Sequence, residues 1–255
     1  MGGFLECEMS NGKIINSFAA GAILLGAFMP VSSSGAEKTN FSANVGIVSE
    51  YFFRGISQND DAPAIQGGFD YEIEASKGLS IYAGVWGSSV DFNESGSTDG
   101  ASLEADYYGG IRTGLGDTGI TLDAGFIYYT YPGAASSLNY DFWEAQAALS
   151  YDFGAAAVTA SLNYSPENFG KSGEAYYWKG ALDIPIKDMT LSGYIARQNV
   201  EDNNTFGSPD YTEWNLSLGS SLAGFDLSVA YTDTDISPEA DGKGKAVIFT
   251  VSRSF

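Results

Sequence analysis

Strict two-residue alternation, repeated in segment after segment, constrains this chain more than any other feature. Ile65, Gly67, Phe69, Tyr71, Ile73 and Ala75 alternate with Gln66, Gly68, Asp70, Glu72 and Glu74. Leu103, Ala105, Tyr107, Gly109 and Ile111 alternate with Glu104, Asp106, Tyr108 and Arg112. Ile120, Leu122, Ala124, Phe126 and Tyr128 face away from Thr121, Asp123, Gly125 and Tyr129. Trp143, Ala145, Ala147, Leu149 and Tyr151 face away from Glu144, Gln146, Ser150 and Asp152. Period two is the signature of a strand with one apolar and one polar face. Twelve such segments lie near 41–53, 63–75, 78–92, 101–116, 119–131, 140–153, 156–165, 174–186, 189–199, 210–222, 224–234 and 244–255.

The connections carry a second regularity. Short links such as Ser76-Lys77, Asp117-Thr118, Gly154-Ala155, Lys187-Asp188 and Ala223-Gly224 alternate with long ones. The long ones are 54–62, 93–100, 132–139, 166–173, 200–209 and 234–243. Tight turns at one end and long loops at the other belong to an up-and-down membrane barrel. Beyond residue 36 no apolar run approaches the roughly 18 residues of a membrane helix, so a membrane location requires a closed β-barrel. The expected fold is all-β: an antiparallel transmembrane barrel of about twelve strands in meander order. A secreted sandwich also predicts alternation, but it does not explain the paired loop lengths.

The final segment fits the same scheme. Val247, Phe249, Val251 and Phe255 share one face, against Ile248, Thr250, Ser252 and Ser254. An unpaired last strand with a greasy face is an aggregation hazard, whereas in a closed barrel it pairs with the first strand and faces lipid. Such an ending looks like that of bacterial outer-membrane proteins, whose terminal aromatic is read by the insertion machinery; Phe255 is the residue expected to make that contact. Arg253 departs from the pattern, since an apolar residue is usual there. The aromatics beside long loops are expected to form an outer belt at the membrane boundary: Tyr51, Phe52, Phe53, Phe92, Tyr128, Tyr129, Tyr131, Tyr140, Phe142, Trp143, Tyr176, Tyr177, Trp178, Tyr211 and Trp214. Phe41, Phe153, Phe225 and Phe255 supply a thinner inner belt.

Residues 9–36 read as an export signal: Lys13, the apolar stretch Ile14 to Met29, then Ser34-Gly35-Ala36 as a cleavage site. Glu6 and Glu8 are foreign to such a signal and suggest initiation at Met9. The organisation is then a signal over 1–36 and a barrel over 37–255. Twelve basic against 32 acidic residues, a net charge of −20, argues against a nucleic-acid partner. With no histidine there is no Ser-His relay or His metal site, and the single cysteine falls within the signal. No enzyme activity, cofactor or metal is expected.

The run Ser49-Glu50-Tyr51-Phe52-Phe53-Arg54-Gly55-Ile56-Ser57-Gln58, then Pro63 to Tyr71, then Tyr82-Ala83-Gly84-Val85-Trp86-Gly87-Ser88, resembles the TorF-type porins, conserved bacterial outer-membrane proteins. The signature covers about residues 42–92. The resemblance implies an outer-membrane barrel with a transport role and leaves its solute open.

Alternation assigns lumen positions. Asp70, Glu72, Glu74, Glu104, Asp106, Asp123 and Glu144 are expected to line a pore, with Asp152, Asp183 and Glu213, against Arg112, Lys179 and Arg197. An excess of carboxylates attracts cations, so mild cation selectivity is expected. Twelve strands lie between barrels filled by side chains and those with an aqueous channel, so an open pore and a plugged lumen both stand. The loop beginning at Arg54 has two readings: folded inward, with Arg54 and Gln58 at a constriction, or a surface turn in which Arg54 pairs with lipid phosphate or a strand carboxylate. Trp86 shares a face with Tyr82 and Val90, and alternation leaves open which face that is. The acidic loops (Asn59-Asp60-Asp61, 201–204, and Asp233, Asp235, Glu239, Asp241) lack the ligand spacing of a calcium loop and read as solvated surface near lipopolysaccharide. The function expected is passive diffusion of small hydrophilic solutes across the outer membrane. The alternative is a plugged barrel acting as a structural or surface-interaction protein.

Overall fold

The computed structural model describes residues 40–92, 100–237 and 244–255. The proposed signal, and Glu239 and Asp241, lie outside these residues. Twelve antiparallel strands close into one barrel. In chain order the strands are β1 (Phe41–Val48), the short pair β2 (Phe52–Phe53) and β3 (Ile56–Ser57), β4 (Ala64–Ser76), β5 (Leu79–Ser89), β6 (Leu103–Gly114), β7 (Ile120–Thr130), β8 (Phe142–Asp152), β9 (Ala157–Ser165), β10 (Ala175–Ile186), β11 (Met189–Val200), β12 (Tyr211–Leu222), β13 (Phe225–Thr234) and β14 (Ala246–Ser254). β2 and β3 stand apart as a two-stranded hairpin; the other twelve form the wall in meander order.

Closure comes from β1 pairing with β14, with Asn44 opposite Ser254 and Ile47 opposite Val251. Backbone bonds between Ala43 and Phe255, at 2.9 and 3.2 Å, finish the seam. Every wall strand therefore has two neighbours, and no edge is left to template aggregation. Two-residue turns at 77–78, 187–188 and 223–224 make the short-turn end. Ala223 and Gly224 both take positive φ, as the tightest hairpin turns require.

The outer face is apolar around the whole wall: Ile47, Ile65, Phe69, Phe126, Ile195, Leu216 and Phe249 are each more than half exposed. So large a greasy surface is stable only against lipid. Polar partners of the same strands point inward, among them Gln66, Glu104, Glu144, Gln198 and Glu213, all buried. At the short-turn rim Phe41, Phe153, Phe225 and Phe255 are exposed. Arg253 is explained there: its guanidinium lies 5.6 Å from the Phe225 ring centroid and 5.1 Å from that of Phe255. The cation is held at the membrane boundary by two aromatic faces.

Three expectations need correction. The first wall strand ends at Val48 rather than near Phe53, because the chain turns inward at Ser49-Glu50 and becomes the β2–β3 hairpin. The outer aromatic belt is much thinner than expected. Tyr128, Trp143, Tyr176 and Trp178 face outward, but Tyr51, Tyr129, Tyr131, Tyr140, Phe142, Tyr177 and Tyr211 are buried. These rings fill the lumen beneath the long loops, where most of them join the barrel's main apolar core, with Phe53 and Phe92 packed against it. Arg197 points outward beside Ile195 rather than into the lumen. Its head reaches Thr212 Oγ1 at 3.1 Å and Asp235 at 3.8 Å.

Candidate pore and its constriction

The hairpin positions the site. Phe53 faces Ile56, which leaves Arg54-Gly55 as a two-residue turn. Both residues have positive φ, +49° and +74°. Glycine is demanded twice at position 55: a Cβ there would meet Thr234 Cγ2 at 2.5 Å, as well as sitting in the left-handed region. The root is tied by Gln58 N–H donating to Tyr51 O at 2.8 Å and by Tyr51 N–H donating to Asn59 Oδ1 at 2.8 Å.

Rooted between β1 and β4, the hairpin crosses to the opposite wall. Arg54 donates to both oxygens of Glu144 on β8, at 2.9 and 2.6 Å, and to Gln198 Oε1 on β11 at 3.1 Å. Its guanidinium lies 4.1 Å from the Tyr177 ring on β10 and 4.8 Å from Phe53. Tyr211 on β12 donates to the Arg54 carbonyl at 2.7 Å. Glu144 also accepts from Asn163 at 3.0 Å and Tyr129 at 3.3 Å. A bidentate, almost fully buried pair with its remaining lone pairs satisfied is among the strongest polar contacts available to a side chain. Arg54 thus combines parts of both sequence readings: the loop folds inward, and its partner is a strand carboxylate. Gln58 is buried, but its amide donates to the carbonyls of Ile56 at 2.9 Å and Ser57 at 3.2 Å, so it braces the hairpin itself.

Toward the long loops, a cavity of about 430 Å³ opens beside the tip, lined by Arg54, Gln58, Gln198 and Tyr211 with a ring of aromatics that includes Phe92, Tyr140 and Phe169. Toward the short turns, the lumen is looser. Arg112 bridges Glu72 at 2.9 Å and Asp123 at 3.0 Å, and Tyr82 donates to Asp123 at 2.6 Å. Tyr108 donates to Asp70 at 2.5 Å, and Ser192 to Asp183 at 2.5 Å. Glu74 is exposed at the rim, accepting from Gly78 N–H at 3.4 Å, and Asp152 caps Gly154 N–H at 2.6 Å. Glycines make room for the lumen rings: a Cβ on Gly84 would come 2.4 Å from the Tyr108 ring, and one on Gly110 2.5 Å from the Tyr82 hydroxyl.

Glu104 and Asp106 sit in neither arrangement; both are buried, with the Tyr51 hydroxyl as the hydrogen-bonding neighbour of the Glu104 carboxyl. Trp86 points inward, its ring 5.7 Å from that of Tyr51. Sequence reasoning did not single out Gln198, Tyr177 and Tyr211 as partners of Arg54. Parity with Lys179 and Glu213 places Tyr177 and Tyr211 inward, whereas the expected inward Arg197 would have turned its neighbour Gln198 outward; the meeting of all three with Arg54 depends on long-range closure. Among the described residues no group of three or more Asp, Glu, His or Cys converges on a metal site.

The fold has solved relatives at low sequence identity. The KdgM porin matches with a TM-score of 0.54 and 9% identity over 84% of this chain and 99% of that one. The COG4313 outer membrane channel from Pseudomonas putida F1 gives 0.55 and 11% over 86% and 97%. The NanC porin gives 0.52 and 12% over 83% and 97%. This chain thus shares the architecture of small outer-membrane channels. No curated protein matches its sequence. A family model does match, over residues 32–255, and the chain belongs to that family, Gcw_chp, bacterial proteins of unknown function.

Proposed function

We propose that this chain is a porin-like outer-membrane channel of the TorF type, exported by the signal over 1–36, that lets small hydrophilic solutes diffuse passively with mild cation preference. One observation carries the reading: a closed barrel with a lipid-facing exterior has a lumen lined by charged and hydrogen-bonding side chains. Asp70, Glu72, Asp123, Asp183, Glu144 and Glu213 project inward there, against Arg54, Arg112 and Lys179. A barrel needed only as a structural wall has no use for so much buried charge, whereas a water-filled path does. The β2–β3 hairpin is the constriction, and Arg54 with Glu144 sets its width. No covalent chemistry is involved, and selectivity follows from width and lumen charge.

A second reading rests on the same hairpin. Held to the far wall by Arg54 and Tyr211, it supports a plugged barrel whose long loops are the working surface. Single-channel recording of the refolded barrel in a planar bilayer under a KCl gradient separates the two. Discrete steps with a reversal potential of cationic sign support the channel. Silence from protein shown to be folded by heat-modifiable gel mobility supports the plug.

A further inference from the structure

The cavity beside the hairpin tip is large enough for a ligand, and its wall is both aromatic and acidic. At about 430 Å³ it falls in the range of small-molecule sites. Rings form much of the wall: Tyr140 and Phe169 stack at 4.4 Å, and Phe92 meets them edge-on at 5.6 and 6.1 Å. Asp60 and Asp91, both exposed, stand at the mouth. Asp91 N–H donates to Gln58 O at 2.8 Å, which brings the two acids to the same root of the hairpin. Among the described residues Arg54 is the one basic group in the lining, and its charge is spent on both oxygens of Glu144.

The inner end of the cavity points to a ligand independently. Gln198 is only 2% exposed, yet it lines the cavity. Its Oε1 accepts from Arg54 Nη1, which fixes the amide's orientation and turns Nε2 away from that bond. Nε2 donates to no protein group among the described residues, and neither does Arg54 Nε. An N–H buried to this degree needs an acceptor. Whatever fills the cavity therefore supplies one.

We propose that this cavity binds a small organic monocation, with its amine at the mouth, a short apolar body between the rings and a neutral oxygen acceptor at the inner end. The amine is drawn by Asp60 and Asp91 and by ring faces, which attract cations through their quadrupoles. This half of the lumen already holds a cation in that way. The Arg54 guanidinium sits over Tyr177 and over Phe53, which is itself part of the cavity wall. A carboxylate in place of the neutral oxygen is disfavoured, because Glu144 neutralises Arg54 and no other base in the lining offsets the acids. As the place where a solute pauses in transit, the site rests on the channel reading; binding itself does not require conduction.

The test is calorimetric titration of the whole refolded chain in nonionic detergent, with the heat of titrating empty micelles subtracted. The probe is phenylalaninamide in mildly acidic buffer, where its amine is protonated. It should bind one per barrel, about tenfold more tightly than hydrocinnamamide, which lacks the amine, or phenylalanine, which carries a carboxylate. Asp60→Asn with Asp91→Asn should weaken phenylalaninamide about fivefold and leave hydrocinnamamide unchanged. Phe169→Leu should weaken phenylalaninamide about threefold. Glu174→Gln with Glu201→Gln, outside the cavity lining, should change nothing. Should the double mouth variant fail to fold, judged by heat-modifiable gel mobility, Asp60→Asn alone should lose about twofold. Absence of binding overturns the proposal, as does equal affinity for the neutral amide or affinity untouched by the mouth variants. Conductance without binding would overturn it and leave the channel reading standing. Binding without conductance would support it and favour the plugged barrel.

Discussion

The two halves of the lumen use the same residue types to different ends. Near the long loops, Arg54, Glu144, Gln198 and Glu213 are packed among Tyr129, Tyr177 and Tyr211, and their charges meet protein rather than water. Near the short turns, Arg112, Glu72, Asp123 and Asp70 form an equally connected network, but the Glu72 side chain is 42% exposed. The hairpin makes the difference, because it brings an extra layer of side chains into one half of the barrel and leaves the other half to solvent. Charge in the packed half is held among protein groups, while charge in the open half keeps partial contact with solvent. The division is one of dielectric more than of composition.

Removing one partner from each network is the severest test of that contrast. Glu144→Ala strands a buried guanidinium and should cost about 3–5 kcal/mol of stability, read as a lowered urea midpoint for the barrel refolded in vesicles. Glu72→Ala, at the solvated network, should cost no more than about 1 kcal/mol. Equal costs would break the comparison. In bilayers, Arg54→Ala should also change the size of the conductance step, since it releases the hairpin tip from the far wall.

Glycine substitutions probe the same division through the backbone. Gly78 has φ +78° in a short turn with open space around it, so Gly78→Ala should cost about 1–2 kcal/mol, the penalty of the left-handed region alone. Gly55 has nearly the same φ, but its added Cβ runs into Thr234 and Glu213. Gly55→Ala should therefore cost about 1–3 kcal/mol more, as overpacking does. Indistinguishable urea midpoints for the two variants would mean that the hairpin is not seated against β12 and β13.

The wall was legible in the sequence because alternation is sampled many times, and every strand from β4 to β14 repeats it. The hairpin was only partly legible. Arg54-Gly55 reads as a turn from its residues, but its partner Glu144 is 90 positions away, and no local pattern pairs them. The aromatics show how a second rule misled. Strict alternation already put Tyr129 on the face of Asp123, pointing inward. Its place beside a long loop then suggested a membrane belt, which the structure does not bear out. Proximity to a loop fixes height along the barrel axis, whereas parity fixes the side, and a ring near the rim satisfies the first without regard to the second. Trp86 follows the same logic, since its face was settled once Tyr82 and Val90, its parity partners, were seen to be buried.

Lumen charge in the open half should affect selectivity with little effect on stability. Asp70→Asn, Glu72→Gln and Glu74→Gln together remove three carboxylates and leave Arg112 paired with Asp123 alone. The reversal potential in a KCl gradient should move toward zero, with the urea midpoint nearly unchanged. An unaltered reversal potential would mean that these carboxylates lie off the conduction path.

The smallest expected effect gives the sharpest comparison, because it removes one hydroxyl from each half without changing shape. Tyr108 donates to Asp70, its ring lying against Gly84, and Tyr177 donates to Glu213 with its ring under the Arg54 guanidinium. In both cases phenylalanine keeps the ring and loses one bond to a carboxylate. Water can replace the lost donor at Asp70, so Tyr108→Phe should cost about 0.5–1 kcal/mol. At Glu213, which is 0% exposed, water has no access. Tyr194 remains as a donor at 3.2 Å, so the carboxylate is weakened rather than orphaned, and Tyr177→Phe should cost about 1–3 kcal/mol. Urea midpoints ranked in that order would place the boundary between wet and dry lumen between these two tyrosines, and the reverse order would move water to the hairpin's side of the barrel.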